Sequence, residues 1–335
     1  MYRHIAANAL TFLIVGILAV GVLIGWAQTE FRKEGPLTQD TLVPVERGAN
    51  LNSVAAALED AGVISNPTIF RMAARYTGAD RQLKFGDYMI PASASMEDVL
   101  GIVTSGRSFS QQVTIVEGWT SWQVVQKLNE IDLLQGELTE IPPEGSLAPN
   151  TYAYSPRTTR ADLIAQMTEA QQKILDEAWL VRDPETPLKS KEEALILASI
   201  IEKETGKADE RPQVASVFVN RLNRGMLLQT DPTVIYGITL GQGSLGRGLR
   251  RSELDRETPY NTYVIKGLPP TPIANPGKAA IEAALNPADT EFVFFVADGT
   301  GGHAFSRTLS EHNENVRKWR EIERQRAEEK AASDG

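Results

Sequence analysis

The segment from Ser190 to Thr205 constrains the fold of this chain more than any other, because it predicts a helix that is apolar on nearly every side. Ser190 and Glu193 have the spacing of a capping box, so a helix is expected to begin here. Residues 194–201 are apolar except for Ser199, and a helix of that composition belongs inside a core. Gly206 commonly follows a helix C-terminus, so the helix is expected to end near Thr205.

Two acidic residues, Glu202 and Glu204, fall in the last turn of this predicted helix, where the helix dipole disfavours negative charge. Burial and the dipole both raise the pKa of a carboxyl group, and a raised pKa suits a general acid near neutral pH. Positions two apart on a helix differ by about 200°, so the two carboxyls cannot face one cleft. At most one is therefore expected to be catalytic and the other to be a solvated helix-end residue.

Composition excludes several classes of function. The chain has 335 residues, enough for about two domains, and its 43 acidic residues outnumber its 34 basic residues, which argues against nucleic acid as a partner. It has no cysteine, so disulfides, thiol catalysis and cysteine-bound metals are excluded. With three histidines and no HExxH pattern, no metal site and no cofactor are expected.

An uncharged apolar segment at residues 9–27 is close to the ~20 residues that a membrane-spanning helix requires. A cleaved signal peptide is the competing interpretation, since residues 25–27 loosely resemble a cleavage site. The apolar part of a signal peptide is usually only ~7–15 residues long, which favours a retained anchor. Residues 1–8 would then be cytoplasmic, and residues 28–40 form a polar linker.

The following residues predict two small units built from strands and helices. Residues 41–106 show a strand, two helices, a strand and a third helix, and residues 107–147 begin with another strand and helix. The two units are either a true repeat or share a common strand–glycine–helix pattern. Five positions match between them: Val43, Val45, Gly48, Val54 and Leu58 correspond to Val113, Ile115, Gly118, Val124 and Leu128.

Residues 148–325 predict a larger α+β domain, and residues 326–335 a disordered tail. Helices are expected at 160–181, from Pro212 to about Gly225, at 278–285 and from Leu309, with a strand at 291–296. The carboxyl, amide and aromatic side chains around the buried helix suit carbohydrate, because carboxylic acids protonate glycosidic oxygens and amides bind sugar hydroxyls. As isolated residues, Asn261, Tyr260 and His303 would equally serve to fix loops.

Residues 197–205, Leu-Ala-Ser-Ile-Ile-Glu-Lys-Glu-Thr, resemble the catalytic motif of the endolytic murein transglycosylases, the MltG or YceG-like family. Further segments that resemble this family follow in order at 214–222, 228–237, 260–263, 267–277 and 295–299. The similarity extends over residues 42–319 and the preceding apolar segment. One departure lies at residues 146–152, Ser-Leu-Ala-Pro-Asn-Thr-Tyr, where the family often has a Glu-Gly-x-Phe-Pro-Asp-Thr-Tyr-like sequence.

This resemblance implies an α+β protein with a single N-terminal transmembrane helix, a small LysM-like α/β module and a larger α+β catalytic domain. It implies a single-pass protein of the inner membrane with a periplasmic catalytic domain. Its partners would be peptidoglycan glycan strands and the cytoplasmic membrane, with peptidoglycan synthases as further candidates. The reaction implied is internal cleavage of nascent strands at the MurNAc–GlcNAc bond, leaving 1,6-anhydroMurNAc ends and terminating elongation.

The catalytic residue of the family falls on Glu202, which would act first as acid and then as base. The candidate substrate-binding residues are Gln229, Thr230, Asp231, Tyr260, Asn261, Tyr263 and His303. Two alternatives remain open. A hydrolytic muramidase would use water and a second carboxylate, for which Asp231 is the candidate, and an inactive membrane-anchored scaffold would only bind peptidoglycan.

Overall fold

The computed structural model describes residues 2–333 and separates into two compact units, Met1–Gln111 and Gln112–Gly335. The described residues combine helices with three two-stranded sheets, which confirms the predicted α+β class. One long apolar helix stands at the N-terminus, also as predicted. The module and domain boundaries drawn from the sequence stay predictions.

The first unit packs two strands against three short helices. Its elements are α1 (Tyr2–Arg32), β1 (Thr41–Val45), α2 (Leu51–Asp60), α3 (Pro67–Thr77), β2 (Gly86–Ile90) and α4 (Met96–Ser105). Strands β1 and β2 pair antiparallel, with Val43 opposite Tyr88. The side chains of Asn50, Asn66 and Ser95 accept backbone N–H bonds at the starts of α2, α3 and α4, which explains where these helices begin.

Helix α1 contains a stretch, Leu10–Arg32, that is 23 residues long and apolar enough to cross a membrane. It is longer at its C-terminal end than the predicted segment of residues 9–27. Near that end, Ala27 and Phe31 pack against the buried core of the first unit. The last turns of α1 are therefore part of the folded unit.

The second unit is mostly helical and is built around one buried helix. Its elements, with a first strand that begins one residue before the unit, are β3 (Gln111–Thr114), α5 (Ser121–Asn129), β4 (Thr151–Tyr154), α6 (Arg160–Leu180), α7 (Lys191–Glu204), α8 (Arg211–Asn223), α9 (Asp231–Thr239), α10 (Arg251–Leu254), α11 (Lys278–Leu285), β5 (Phe294–Ala297), β6 (His303–Ser306) and α12 (Leu309–Ser333). Helix α7 packs against α6, α8 and α11, and residues 196–201 are all buried, as its apolar sequence predicts.

Local signals account for the ends of α7. Ser190 Oγ accepts the N–H of Glu193, as in a capping box, but the Glu193 carboxylate accepts the N–H of Lys189 instead of that of Ser190. The helix ends at Glu204, one residue before Thr205. Helix α12 extends to Ser333, and residues 334–335 lie outside the described part. The disordered tail at residues 326–335 stays a prediction.

The two strand–glycine–helix segments found in the sequence have the same local form. Gly48 and Gly118 both adopt positive φ, at 79° and 77°, in the turn between a strand and the following helix. The matching apolar residues are buried in both segments. This common form fits either a repeat or a shared pattern.

Candidate active site

Glu202 lies in the last turn of α7 and is almost fully enclosed, with 5% of its side chain exposed. Its Oε2 accepts the backbone N–H of Gly277 at 2.9 Å. Gly277 is the residue that caps the N-terminus of α11. Glu202 therefore lies between the negative end of α7 and the positive end of α11, whose dipoles act on its charge in opposite directions.

Arg211, the first residue of α8, connects Glu202 to a second carboxylate. Its Nη2 lies 3.4 Å from Oε1 of Glu202 and 3.3 Å from Oε2 of Glu117. The Arg211 side chain is only 9% exposed, whereas that of Glu117 is 46% exposed. The cluster thus has a buried acid, a buried cation and an acid that solvent or a ligand can reach.

The surroundings of Glu202 favour its protonated form. Burial raises the pKa of the Glu202 carboxyl, and the negative charge of Glu117 raises it further, while the Gly277 N–H and Arg211 lower it. Arg211 contacts Glu117 as well as Glu202, so the two carboxylates share one positive charge. A raised carboxyl pKa is what proton donation requires near neutral pH.

Two buried polar side chains fix the loop that carries Gly277. Ser199, the polar residue within the apolar run of α7, accepts the N–H of Ile273 at 3.0 Å. Asn275 is fully buried and accepts the N–H of Leu147 while donating to the carbonyl of Trp119. The carbonyl of Asn275 in turn accepts the N–H of Gly118, so the loops that hold Glu117 and Gly277 are tied together.

A further buried carboxylate, Glu144, lies in the same set of loops. It accepts the backbone N–H of Ser121 at 2.8 Å and the hydroxyl of Tyr236 at 3.2 Å, and Asn275 Nδ2 lies 3.4 Å away. Burial raises the pKa of Glu144. These bonds connect the start of α5, helix α9 and the loop before α11, so Glu144 has a structural role.

Glu204 was expected to be solvated, and that expectation is wrong. Its carboxylate is buried and accepts the hydroxyl of Thr230, and burial raises its pKa. The loop before α9 folds over the end of α7, a long-range contact that helical spacing does not reveal. Glu204 and Glu202 nevertheless bind different partners, in agreement with their predicted angular separation.

The predicted substrate-binding residues form groups other than the one that contacts Glu202. Asp231, the first residue of α9, accepts the hydroxyl of Tyr263 at 2.7 Å. Gln229 is exposed and has a positive φ of 50°, in the turn before Thr230. Thr230 is buried, and its hydroxyl donates to the Glu204 carboxylate. Asp231 and Gln229 face solvent, where sugar hydroxyls can reach them.

The other three predicted residues bind mainly to the protein itself. Asn261 is fully buried, and its Nδ2 donates to the carbonyl of Leu254 at 2.9 Å and to that of Arg256 at 2.6 Å. The Tyr260 hydroxyl lies 2.9 Å from that of Thr271. His303 Nδ1 lies 2.8 Å from Oε2 of Glu210. These contacts favour the loop-fixing interpretation, and a sugar contact by any of the three stays a prediction.

Sequence reasoning did not identify Glu117, Arg211 or Gly277 as parts of the site. Glu117 directly precedes Gly118, the turn glycine of the second strand–glycine–helix segment, and Gly277 ends the segment 267–277 that resembles the family. Arg211 is separated from Glu117 by 94 positions, and Gly277 from Glu202 by 75. No periodicity connects residues so far apart.

Comparisons with known proteins identify the family. Residues 43–318 match the model of the YceG-like family. A Bacillus subtilis protein named endolytic murein transglycosylase is 30% identical over 309 residues, which cover 83% of this chain and 84% of the relative. A Streptococcus pneumoniae protein of the same name is 28% identical; the match covers 93% of this chain but only 65% of that longer relative.

Among solved structures, a crystal structure of a yceG-like protein from Listeria monocytogenes is 29% identical, with a TM-score of 0.48. The alignment covers 82% of this chain and 99% of the other. The family match includes Glu117, Glu202, Arg211 and Gly277, because all four lie within residues 43–318. From the extent of that match, and from the Bacillus relative, the chain belongs to the YceG-like family.

Proposed function

We propose that this chain is a lytic transglycosylase that cleaves peptidoglycan glycan strands internally and leaves 1,6-anhydroMurNAc ends. The observation that carries the proposal is the enclosed Glu202, which contacts Gly277 and Arg211 and whose pKa is raised by burial. Family membership and the names of the Bacillus and Streptococcus relatives support the same substrate. Termination of strand elongation is the cellular role that such a cut would have.

The first step needs a proton donor, and the enclosed Glu202 is the candidate for that role. The protonated carboxyl gives its proton to the oxygen between MurNAc and GlcNAc as the glycosidic bond breaks, and an oxocarbenium-like centre develops at C1 of MurNAc. The departing GlcNAc keeps the proton as its hydroxyl. Glu202 becomes a carboxylate, which the Gly277 N–H and Arg211 stabilise.

The second step closes a ring within the MurNAc residue. The Glu202 carboxylate takes the proton of the C6 hydroxyl, and the C6 oxygen forms a bond to C1. Glu202 is thereby protonated again, and no water is consumed. The nucleophile belongs to the same sugar, so its effective concentration exceeds that of an external water.

Hydrolysis is the second candidate, and the structure changes which residue would support it. Asp231 was the candidate second carboxylate, but it binds Tyr263, whereas Glu117 contacts the same Arg211 nitrogen as Glu202. Two carboxylates flanking the scissile bond are the arrangement of a glycoside hydrolase. Glu117 would then activate water or attack C1.

Product analysis distinguishes the lytic reaction from hydrolysis. The full chain in detergent is incubated with purified glycan strands, and mass spectrometry identifies the new ends. We expect anhydro ends, lighter than reducing ends by one water, and early fragments of intermediate length. Reducing ends would instead support hydrolysis, and binding without release would support the inactive scaffold.

We further propose that α1 is a retained anchor in the inner membrane and that the second unit lies in the periplasm. Packing of Ala27 and Phe31 against the first unit supports retention, because cleavage after Ala27 would remove Ala27 from that core and leave Phe31 with only the last few residues of its helix. Protease added to spheroplasts should digest the folded units. Digestion only after lysis would contradict this topology.

A further inference from the structure

The first unit has an open apolar groove between the last turns of α1 and helix α3. One wall is the last part of α1, with Ile24 and Phe31, and the other is α3, with Ile69, Met72 and Tyr76. The groove encloses about 400 Å³. The pair formed by Arg32 and Glu97, 3.3 Å apart, is also part of its lining.

The spacing of these residues shows that two helix faces form the groove. Positions 24, 27, 28 and 31 of α1 lie on one side of that helix, and positions 69, 72, 73 and 76 of α3 follow the same i, i+3, i+4, i+7 pattern. The two faces meet only in part. Met72 remains 64% exposed and Tyr76 94% exposed, which is a high exposure for side chains on the apolar side of a helix.

The position of the groove along α1 indicates what covers it. Ile24 and Phe31 belong to the 23-residue segment Leu10–Arg32, little longer than the ~20 residues that cross a bilayer. Phe31 follows the uncharged segment of residues 9–27 by four positions, a rise of about 6 Å along the helix, so the last turn of α1 lies close to the end of that segment. The α3 face packed beside that turn is therefore held at the same level.

The side chains around the groove are those expected where a protein meets the surface of a bilayer. Trp26 of α1 is exposed, and Tyr76 of α3 combines an apolar ring with a hydroxyl that can remain hydrated. The exposed Arg75 adjoins Tyr76, and a basic side chain there can reach lipid phosphates. Met72 supplies a flexible apolar side chain suited to a mobile ligand.

We infer that this groove holds acyl chains of the surrounding bilayer. The first unit then lies on the periplasmic surface of the inner membrane, with the α3 face immersed among the lipids. The inference rests on the proposed membrane anchorage and extends it from the helix to the folded unit. A module attached in this way has a restricted orientation over the membrane. Glycan strands that it bound would be held close to the lipid surface.

The absence of cysteine from the chain permits a direct test. Single variants Met72→Cys, Val15→Cys and Glu59→Cys of the full chain are spin-labelled and reconstituted in vesicles of phosphatidylcholine and phosphatidylglycerol. Val15 lies within the apolar segment and Glu59 is an exposed residue of α2, so they serve as lipid and water references. Power saturation then compares access by oxygen, which concentrates in lipid, with access by a water-soluble nickel chelate.

We expect the label at Met72 to resemble that at Val15, accessible to oxygen and shielded from nickel, while the label at Glu59 shows the reverse. A label at Met72 that resembles Glu59, with Val15 still shielded, would overturn the inference and leave the anchor intact. Nickel access at Val15 would refute the anchor itself and the inference with it. Shielding at Met72 that disappears when the protein is diluted in lipid would assign the groove to a second copy of this chain, and would also overturn the inference.

Discussion

At the scale of single residues, the proposed reaction depends on the proton of Glu202. Glu202→Gln keeps the size of the side chain and its bond to Gly277, but has no proton to transfer. Because one carboxyl serves as acid and then as base, the loss of anhydromuropeptide release should exceed the about 10²–10⁴-fold typical of one proton-transfer role. Retention of most activity would refute the assignment.

Stability should respond differently to the same change. Because burial raises the Glu202 pKa, the folded chain holds this proton more tightly than the unfolded chain, and stability falls as pH rises through that interval. Glu202→Gln removes this loss, so the melting temperature near neutral pH should be unchanged or higher. Glu204→Gln is the matched control: it also removes a buried carboxyl from the same turn, yet it should retain most activity.

Glu117 offers a test of how the charge around Glu202 is balanced. Glu117→Gln removes a negative charge that raises the Glu202 pKa, and it leaves Arg211 paired with Glu202 alone. The Glu202 pKa should then fall. Since the acid must be protonated, the decline of kcat/KM at high pH should begin at lower pH than in the unchanged chain.

The complete pH profile of kcat/KM distinguishes this role from direct catalysis by Glu117. A charge-balancing residue shifts the profile and leaves substantial activity at low pH. Uniform loss at every pH would instead make Glu117 a catalytic carboxylate, as in the hydrolytic alternative. An unshifted pH profile would show that the charge of Glu117 does not affect the Glu202 pKa.

At the scale of helices and strands, local sequence patterns predicted α7 and α11 closely. The cap at Ser190 and the apolar run located α7, and α11 was expected at the residues where it occurs. The short strand β4 and helix α9 were not predicted. Helix α9 follows a buried Thr230 whose bonds reach Glu204 and Thr262, so its surroundings come from distant residues.

In the candidate site, too, local sequence indicated some residues, while others depend on contacts between distant residues. Glu202 could be selected from sequence because a resemblance to a known motif and the end of an apolar helix indicated the same residue. The bond from Gly277 could not be predicted, since Gly277 lies 75 positions from Glu202 and reaches it only when the loop before α11 packs against the end of α7. Arg211 lies only nine positions from Glu202, but its contact depends on the turn between α7 and α8, which no sequence pattern specified. Ser199 was visible as a polar interruption, but its bond to Ile273 required the structure.

The close packing of these elements predicts the effect of one methyl group. A Cβ added at Gly277 would collide with the Glu117 carboxylate, whereas one added at Gly206 would meet no atom within 4 Å. Gly277→Ala should therefore displace Glu117 from Arg211 while keeping every ionisable group. We expect kcat/KM at neutral pH to fall, because a displaced Glu117 no longer raises the Glu202 pKa, with little change for Gly206→Ala. Equal activities would show that Glu117 moves aside without consequence.

At the scale of the whole molecule, the residues of the Glu202 cluster and the apolar groove belong to different units. Glu117, Glu202, Arg211 and Gly277 all belong to the second unit, Gln112–Gly335. The first unit contains the end of α1, the groove and the strand–helix pattern that resembles LysM. This division favours catalysis in the second unit and attachment to membrane and glycan in the first.

Truncation tests this division of roles. We compare residues 41–335 with residues 107–335, which lack the LysM-like module but keep strand β3 and every residue of the Glu202 cluster. The shorter chain should cleave short soluble glycans at a rate within a few-fold of the longer chain, because none of the groups around Glu202 is removed. It should sediment less with intact peptidoglycan sacculi, because the module predicted to bind glycan is removed. Circular dichroism and thermal melts establish that the shorter chain is folded. If it is folded but does not cleave short glycans, the first unit takes part in the reaction and its role extends beyond binding.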